Sequence, residues 1–450
     1  MGVSLKELKP QIRQVWQLSL PAILTQITTI VMQYIDSAMV GSLGANASAS
    51  IGLVSSSTWL LGGITYGVAA GFSVQVAHRI GAGKEKEAKQ VVRHGMVAAA
   101  VVSLLLCLFA LSISRSLPVW LGGDAVICAD ASAYFMTFAL MLPFSQMNRL
   151  SASFLQCSGD MVTPSILNAA MCVLDVVFNA IFIPRYGVLG AGIGTALACA
   201  VVSVIMIWRC CISSPRLRLR REEKGEFQKE ILARAFRIGT PVAVQEIALC
   251  GAMVVSTAII APLGAVAIAA NSFAITAESL CYMPGYGVGA AATTVVGRSA
   301  GASDVKLAKR YGVICTAMGG ILMGTTGLIM ALFCPWVFML LTPDPAVREL
   351  SVQVLRIGLL AEPLFGVSIV AAGVLQGVGD TFVPGLLNLG SIWIVRLGIA
   401  LLLVQPLGLH GMWIAMAAEL CVRGLVMVYR LKTTKHFEKF KVTEVDKLER

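Results

Sequence analysis

Charged side chains are scarce in this chain of 450 residues. Only 13% of its residues are Asp, Glu, Lys or Arg, whereas soluble globular proteins carry about 25%. Hydrophobic residues make up 57% of the chain. This composition excludes an ordinary soluble domain, because such a domain could not bury so much apolar surface. The sequence therefore predicts that a lipid bilayer is the solvent for much of the chain.

Motifs that hold metals or carry out catalysis are also missing. The four histidines are scattered near loops and helix ends, and the twelve cysteines form no CxxC pair and no Cys/His cluster at metal-ligand spacing. No P-loop pattern is present. We therefore expect no metal, no cofactor and no catalytic residue, which argues against an enzyme. The acids inside the apolar segments occur singly, without symmetric rings of charge, and this argues against a channel.

The net charge of +11 could indicate a nucleic-acid partner, but its distribution favours a membrane protein. Basic residues cluster at the termini and in three segments, 74–93, 211–234 and 297–310. The positive-inside rule places all of these in the cytoplasm, which requires an even number of spans. We therefore expect a membrane protein that contacts lipid and no nucleic acid, with both termini in the cytoplasm.

Apolar stretches of about 20 residues, long enough to cross a bilayer as a helix, recur along the chain. Continuous apolar runs favour helices, since the strands of a membrane barrel alternate apolar and polar residues. The predicted spans are 14–40, 50–74, 91–114, 128–152, 163–184, 189–210, 235–260, 270–296, 310–334, 348–374, 383–404 and 410–430. The sequence thus predicts an all-α integral membrane protein of twelve transmembrane helices.

The two halves of the chain repeat each other at an offset of 220 residues. Superposed at this offset are Pro21 with Pro241, Leu43-Gly44-Ala45 with Leu263-Gly264-Ala265, Tyr66-Gly67-Val68 with Tyr286-Gly287-Val288, Pro143 with Pro363, Gly159-Asp160 with Gly379-Asp380, and Asn168 with Asn388. After a slip of one residue, Gly187 and Gly190 align with Gly408 and Gly411. Six helices per half make these parallel repeats about an axis along the membrane normal.

The repeat predicts two pseudo-symmetric six-helix lobes around a central cleft. The N-terminal lobe would cover residues 1–210 and the C-terminal lobe residues 235–430. A basic cytoplasmic linker, 211–234, would join them, and a cytoplasmic tail would follow at 431–450.

Several motifs resemble the multidrug and toxic-compound extrusion (MATE) family of secondary transporters. They are Asp36 to Gly41 followed by Leu43-Gly44, then Gly81-Ala82-Gly83, Met283 to Gly287 with Gly297 and Gly301-Ala302, and Gly377 to Thr381. The resemblance covers nearly the whole chain in the right order and spacing. It implies export of cationic or amphipathic organic compounds by alternating access, driven by inward Na+ or H+. For such a transporter we expect a monomer in the cell (inner or plasma) membrane, with small organic substrates as its partners.

Four polar residues of the N-terminal half are candidates for the site where the coupling ion binds. A charge near the bilayer centre costs roughly 2.5–3.5 kcal/mol, so Asp36 in span one and Asp175 in span five each need a reason to be there. Asp175 and Asn179 share one helix face with Asn168. We predict a proton or Na+ site at Asp36, Asp175 and Asn179, with Thr195 as a further ligand. An interhelical hydrogen-bond network that only holds helices together is the alternative.

At these residues the chain differs from the family pattern in the order of two side chains. In the branch of the family whose N-lobe site is best defined, the fifth span has Asn and then Asp four residues later, whereas this chain has Asp175 and then Asn179. Another branch uses a seventh-span glutamate at the position that Leu249 occupies here, and Glu246 lies one turn earlier.

The C-terminal half contributes further charged candidates inside its spans. Glu246, Glu278 and Glu362 are predicted as second coupling residues or as ligands for a substrate cation, and Arg396 as a counter-ion for one of these acids. Glu362 precedes Pro363, where we expect a kink. Glu419 and Arg423, four residues apart, are predicted to form a local ion pair.

The sequence thus predicts an antiporter that exports drugs and is coupled to H+ or Na+. A lipid or lipid-linked saccharide flippase of the same superfamily is the alternative. Such flippases typically have more spans or a strongly basic central cavity, whereas Arg396 is the one base that we place deep in a span.

Overall fold

A computed structural model describes residues 5–219 and 228–440, and helices make up nearly all of this part of the chain, without a strand. Fifteen α-helices follow one another in it: α1 (Leu5–Gly41), α2 (Ala45–Gly81), α3 (Glu85–Ile113), α4 (Leu117–Trp120), α5 (Ala125–Ser158), α6 (Val162–Tyr186), α7 (Val188–Trp208), α8 (Lys229–Ile260), α9 (Ala265–Gly301), α10 (Val305–Leu341), α11 (Pro345–Leu359), α12 (Glu362–Gly377), α13 (Phe382–Gly390), α14 (Leu397–Leu407) and α15 (Leu409–Thr433). A π-helical turn, Arg209–Ser213, extends α7, and another, Ser391–Arg396, joins α13 to α14.

Among the described residues, eleven helical segments are long and apolar enough to cross a membrane, and a bent helix pair that acts as one span brings the count to twelve. This confirms the predicted number of spans. The bent pair is α11 and α12, which meet at an angle of 54°. Pro363 lies in the first turn of α12, where a residue without an N–H group begins a helix readily but cannot continue one. The predicted kink beside Glu362 is therefore present. Its repeat counterpart, Pro143, lies inside the continuous helix α5.

The chain divides into two compact units. We call Ile27–Glu246 the N-unit, and Met1–Gln26 together with Ile247–Arg450 the C-unit. The boundaries fall inside α1 and α8, so each of these helices begins in one unit and ends in the other. These bounds differ from the predicted lobes at 1–210 and 235–430. They differ because Val15 and Ile23 of α1 pack on Val288 and Val295 of α9, and such tertiary contacts leave no mark on hydropathy.

The repeat is visible in the backbone. Gly44 and Gly264 have φ of 113° and 93°, both with ψ near 180° (174° and 173°). Gly187 and Gly408 have φ of 58° and 57° and ψ of −130° and −135°. A positive φ favours glycine because it has no Cβ. The matched turns therefore explain why the same glycines recur in both halves.

The one-residue slip between the halves has a structural cause. It falls between Asn388 and Gly408, and the π-helical turn Ser391–Arg396 lies in that interval. A π turn accommodates one extra residue without changing the direction of the helix. Beyond the turn, Gly190 faces the carbonyl of Phe182 as Gly411 faces that of Leu403, so an offset of 221 residues holds there.

This shift of register changes which residues correspond. The ungapped alignment places Val395 opposite Asp175. With the π turn taken into account, the counterpart of Asp175 is Arg396, and that of Asn179 is Ala400. Burial agrees, because Asp175, Asn179, Arg396 and Ala400 are all buried. The C-unit therefore has a base where the N-unit has an acid.

Candidate functional site

Three of the predicted residues come together inside the N-unit. The Asn179 side-chain amide donates one hydrogen bond to Asp36 Oδ1 at 2.9 Å and another to Asp175 Oδ2 at 3.2 Å. The carboxyl groups of Asp36 and Asp175 also interact directly. Asp36 comes from α1, and Asp175 and Asn179 from successive turns of α6. We call these three residues the acid pair cluster.

The acid pair cluster is buried and incompletely satisfied. Asp175 and Asn179 are fully buried, while Asp36 is half-buried. Asp175 Oδ1 and Asn179 Oδ1 are buried and have no hydrogen-bond partner among the described residues. Unpaired buried oxygens are uncommon and costly. Two carboxyl groups so close together bind a proton readily, since both cannot stay ionised, and carboxylate and amide oxygens are suitable ligands for a hard cation.

A glycine of the neighbouring helix makes room for Asn179. Gly194 lies on α7, and a Cβ added to it would collide with Asn179 Oδ1. A side chain at 194 would therefore push the amide away from the two carboxyl groups. Gly194 was not among the predicted site residues, although it ends a Gly-x-x-Gly-x-Gly-x-Gly run that starts at Gly187, a pattern typical of close helix packing.

Thr195 and Tyr134 lie on the helices around the cluster. The Thr195 hydroxyl donates to the carbonyl of Ala191 at 3.1 Å, so its proton is used within its own helix. No hydrogen bond links Thr195 to the cluster in the part of the chain that the structure describes. Tyr134 of α5, which the sequence analysis missed, lies within electrostatic range of both Asp36 and Asp175.

The charged residues of the C-unit form a network around Glu419. Arg396 donates to Glu419 Oε2 through Nε at 3.1 Å and Nη2 at 2.7 Å. Arg423 donates to Oε1 through Nε at 2.7 Å and to Oε2 through Nη2 at 2.8 Å. Ser391 donates to Oε1 at 2.6 Å. The predicted pair of Glu419 and Arg423 is therefore present, but it includes Arg396, whose direct partner is Glu419 and none of the three acids predicted for it.

Two of those acids lie together elsewhere in the C-unit. Glu278 and Glu362 are buried and within electrostatic range of each other, and Arg396 is within range of Glu278. Glu278 Oε1 and both carboxyl oxygens of Glu362 have no hydrogen-bond partner among the described residues. Glu246, the third of these acids, is the last residue of the N-unit.

No group of three or more His, Cys, Asp or Glu side chains suited to a metal ion occurs within residues 5–219 and 228–440. The acid pair cluster itself brings together two carboxyl groups and one amide.

Comparison with known proteins identifies the family. A model named MatE matches residues 21–181 and again residues 241–402. The chain belongs to the MatE family. The two matches begin 220 residues apart, which is the offset of the internal repeat. The predicted family and the duplication are thus both confirmed, and as a MatE protein the chain is a transporter and no enzyme.

Relatives of this MatE protein align over nearly their full length. A probable multidrug resistance protein NorM from Thermotoga maritima is 28% identical over 441 residues, which cover 93% of this chain and 92% of the relative. A protein of the same name from a Synechococcus strain is 26% identical over 457 residues, covering 96% of this chain and 97% of the relative.

Solved structures confirm the fold of this MatE chain. The MATE transporter VcmN of Vibrio cholerae, in its bent form, superposes with a TM-score of 0.88 at 19% identity, covering 96% of this chain and 98% of VcmN. A MOP superfamily transporter from Pyrococcus furiosus gives 0.90 at 20% identity, with 96% and 97% covered.

Proposed function

We propose that this MatE protein exports cationic or amphipathic organic compounds in exchange for inward H+ or Na+, and that the ion binds at the acid pair cluster. The observation that carries the proposal is the buried contact of Asp36 with Asp175, bridged by Asn179, next to two oxygens without partners. The names of the relatives, multidrug resistance proteins, support an organic substrate.

Ion binding drives export only if it favours one state of the transporter over another. A cation entering from outside binds at the Asp36–Asp175 pair, which lowers the charge of the pair by one and weakens the repulsion between the two carboxyl groups. Helices α1 and α6, which hold these residues, can then pack differently from their arrangement in the ion-free state. In the proposed cycle of alternating access, this change lowers the affinity for the substrate and releases it outward.

The competing explanation, a network that only holds helices together, predicts a different pattern of oxygens. Such a network would leave its members satisfied, because an unpaired buried polar atom destabilises the fold. Asp175 Oδ1 and Asn179 Oδ1 instead have no partner among the described residues. This supports a site that an ion completes.

The decisive experiment measures efflux from vesicles under Na+ and pH gradients imposed separately. We expect wild-type protein to respond to one of the two gradients and Asp36→Asn to respond to neither. The variant Glu246→Gln tests whether Glu246 takes part in coupling or in substrate binding. Altered ion dependence would place Glu246 in coupling, and unaltered ion dependence with weaker substrate dependence would place it in substrate binding. Export by wild type that ignores both gradients would exclude antiport and favour a flippase.

Gly194→Ala is expected to weaken the binding of the coupling ion, because the added methyl group displaces the Asn179 amide. Loss of its two bonds to Asp36 and Asp175 should raise the ion concentration for half-maximal export by about tenfold. Gly52→Ala is the matched control, since a Cβ at this helical glycine of α2 meets nothing within 4 Å. Equal ion dependence in the two variants would show that Asn179 is not part of the ion site.

We also propose that the protein is a monomer in the cell membrane with both termini in the cytoplasm. The basic ends of the described helices support this orientation. Basic residues lie in the last turns of α2, α9 and α15, namely Arg79, Arg298, and Arg430 with Lys432. In the proposed topology all three helix ends lie on the cytoplasmic side.

A further inference from the structure

Three side chains inside membrane spans of the N-unit form a second polar group, separate from the acid pair cluster. The guanidinium of Arg149 lies over the ring of Tyr66, with Cζ 5.8 Å from the ring centroid. The carboxylate of Glu246 lies within electrostatic range of both Arg149 and Tyr66. Arg149 is nine residues from the end of α5 at Ser158, about 13 Å along the helix axis. The sequence analysis did not single out Arg149.

A run of glycines on α2 brings Glu246 to this position. Gly63 and Gly67 lie one turn apart, and a Cβ added to Gly63 would approach Glu246 Cβ to 2.7 Å. One added to Gly67 would approach the Cβ of Ala243, also to 2.7 Å. Helices α2 and α8 therefore touch along small residues, as is typical of close helix pairs in membranes. Tyr66 follows Gly63 by three residues and so lies on the same side of α2.

Neither charged member of the group is neutralised by a direct contact. Within residues 5–219 and 228–440, no hydrogen bond or ion pair links Arg149 or Glu246 to another side chain. Arg149 is exposed and Glu246 half-buried. Charged residues within membrane spans almost always face the bundle interior or a water-filled cavity, and they mark routes of substrates or ions. Glu419 differs, because its carboxylate accepts hydrogen bonds from two arginines and a serine, as expected of a charge with a structural role.

We propose that Tyr66, Arg149 and Glu246 form a recognition site for zwitterionic amphipathic compounds, which carry a carboxylate and a cationic group on one apolar scaffold. This inference rests on the proposed export function and names its substrate class. Arg149 presents a planar fork of N–H donors that suits a carboxylate, and Glu246 attracts the cationic group. A compound with a cationic group alone leaves Arg149 unpaired and is repelled by it, so it binds more weakly.

The test compares two dyes that differ in one carboxylate. Rhodamine B is a zwitterion near pH 7, and its ethyl ester is a cation with the same ring system. Binding to purified full-length protein is measured by fluorescence polarisation without any ion gradient. We expect wild type to bind rhodamine B about tenfold more tightly than the ester, the difference that one charged hydrogen-bonded contact supplies. Equal affinities would overturn the proposal.

Variants assign the preference to the residues. Arg149→Gln should bring the two affinities to within about twofold, and Arg149→Lys, which keeps the charge but not the fork, should lie between it and wild type. Glu246→Gln should weaken both dyes and keep their ratio. Arg115→Gln, at an exposed arginine after α3, should bind like wild type. If Arg149→Gln keeps the wild-type ratio of the two dye affinities, the proposal fails. If Arg149→Gln does not fold, Arg149→Lys replaces it in the test, and an unchanged ratio in that variant contradicts the proposal.

Failure of this inference and failure of the proposed antiport are distinguishable. The binding measurement needs no gradient and no transport. If the two dyes bind equally while Asp36→Asn still abolishes export, this inference fails and the proposed antiport stands. If the protein discriminates the dyes but its export ignores ion gradients, the proposed antiport fails and this inference stands.

Discussion

Asparagine in place of Asp36 is expected to abolish gradient-driven export while the protein still reaches the membrane. Asparagine fills the same space and can still accept the bond that Asn179 donates to Asp36 Oδ1 at 2.9 Å, so the fold should persist. It cannot carry the charge that binds a cation. One elementary charge moving down 100 mV supplies about 2.3 kcal/mol, enough for about fifty-fold accumulation of substrate. We expect this gain to vanish, with accumulation ratios near one in efflux assays.

The control for this result is an acid outside the cluster. Asp130→Asn alters an exposed residue in the first turns of α5 and should export as wild type does. Equal amounts of both variants in the membrane fraction would show that the comparison concerns function. Normal gradient-driven efflux by Asp36→Asn would refute the assignment of coupling to the N-unit.

Glu419→Gln is expected to destabilise the C-unit strongly. Glu419 is fully buried, and its carboxylate accepts hydrogen bonds from two buried arginines. Its loss leaves Arg396 and Arg423 as neighbouring buried charges without the carboxylate that both of them hydrogen-bond. Breaking a buried ion pair at one partner costs about 3–5 kcal/mol. In thermal unfolding of the purified protein, we expect the midpoint to fall by about 5–10 °C.

A matched pair of variants separates this mechanism from a simple loss of shape. Glu349→Gln makes the same chemical change at an exposed position of α11 and should leave the midpoint within about 1 °C, as is usual for surface changes. Adding Arg423→Met to Glu419→Gln removes one of the two uncompensated charges and should recover part of the loss. A double variant less stable than Glu419→Gln would contradict the explanation by unpaired charge.

Most of the fold follows from the sequence because its determinants are local. Span number depends on the length of apolar runs, the break at Pro363 on a missing N–H group, and the repeat on glycines that adopt positive φ. The acid pair cluster was predictable in part. Asp175 and Asn179 are four residues apart and must share a helix face, and an acid such as Asp36 inside an apolar span is expected to have a polar partner.

Other features were hidden because they depend on tertiary contacts. Arg149 lies near the edge of its predicted span and gains meaning from Tyr66 and Glu246, which belong to other helices. The partner of Arg396 was missed because Glu419 lies 23 residues away, beyond any helical spacing. The one-residue slip between the halves was visible in the sequence, but its position was not, because a π turn changes the offset without leaving a gap in hydropathy.

The π turn at Ser391–Arg396 bears on how the two halves of this gene diverged. In an unbroken α-helix, an extra residue rotates everything after it by about 100°, which would have turned the following faces away from their neighbours. Here the insertion is absorbed within one turn, and the glycine turn at Gly408 keeps the geometry of its copy at Gly187. The insertion therefore left Arg396 at the position aligned with Asp175, and the change there from carboxylate to guanidinium is a separate substitution on the same helix scaffold.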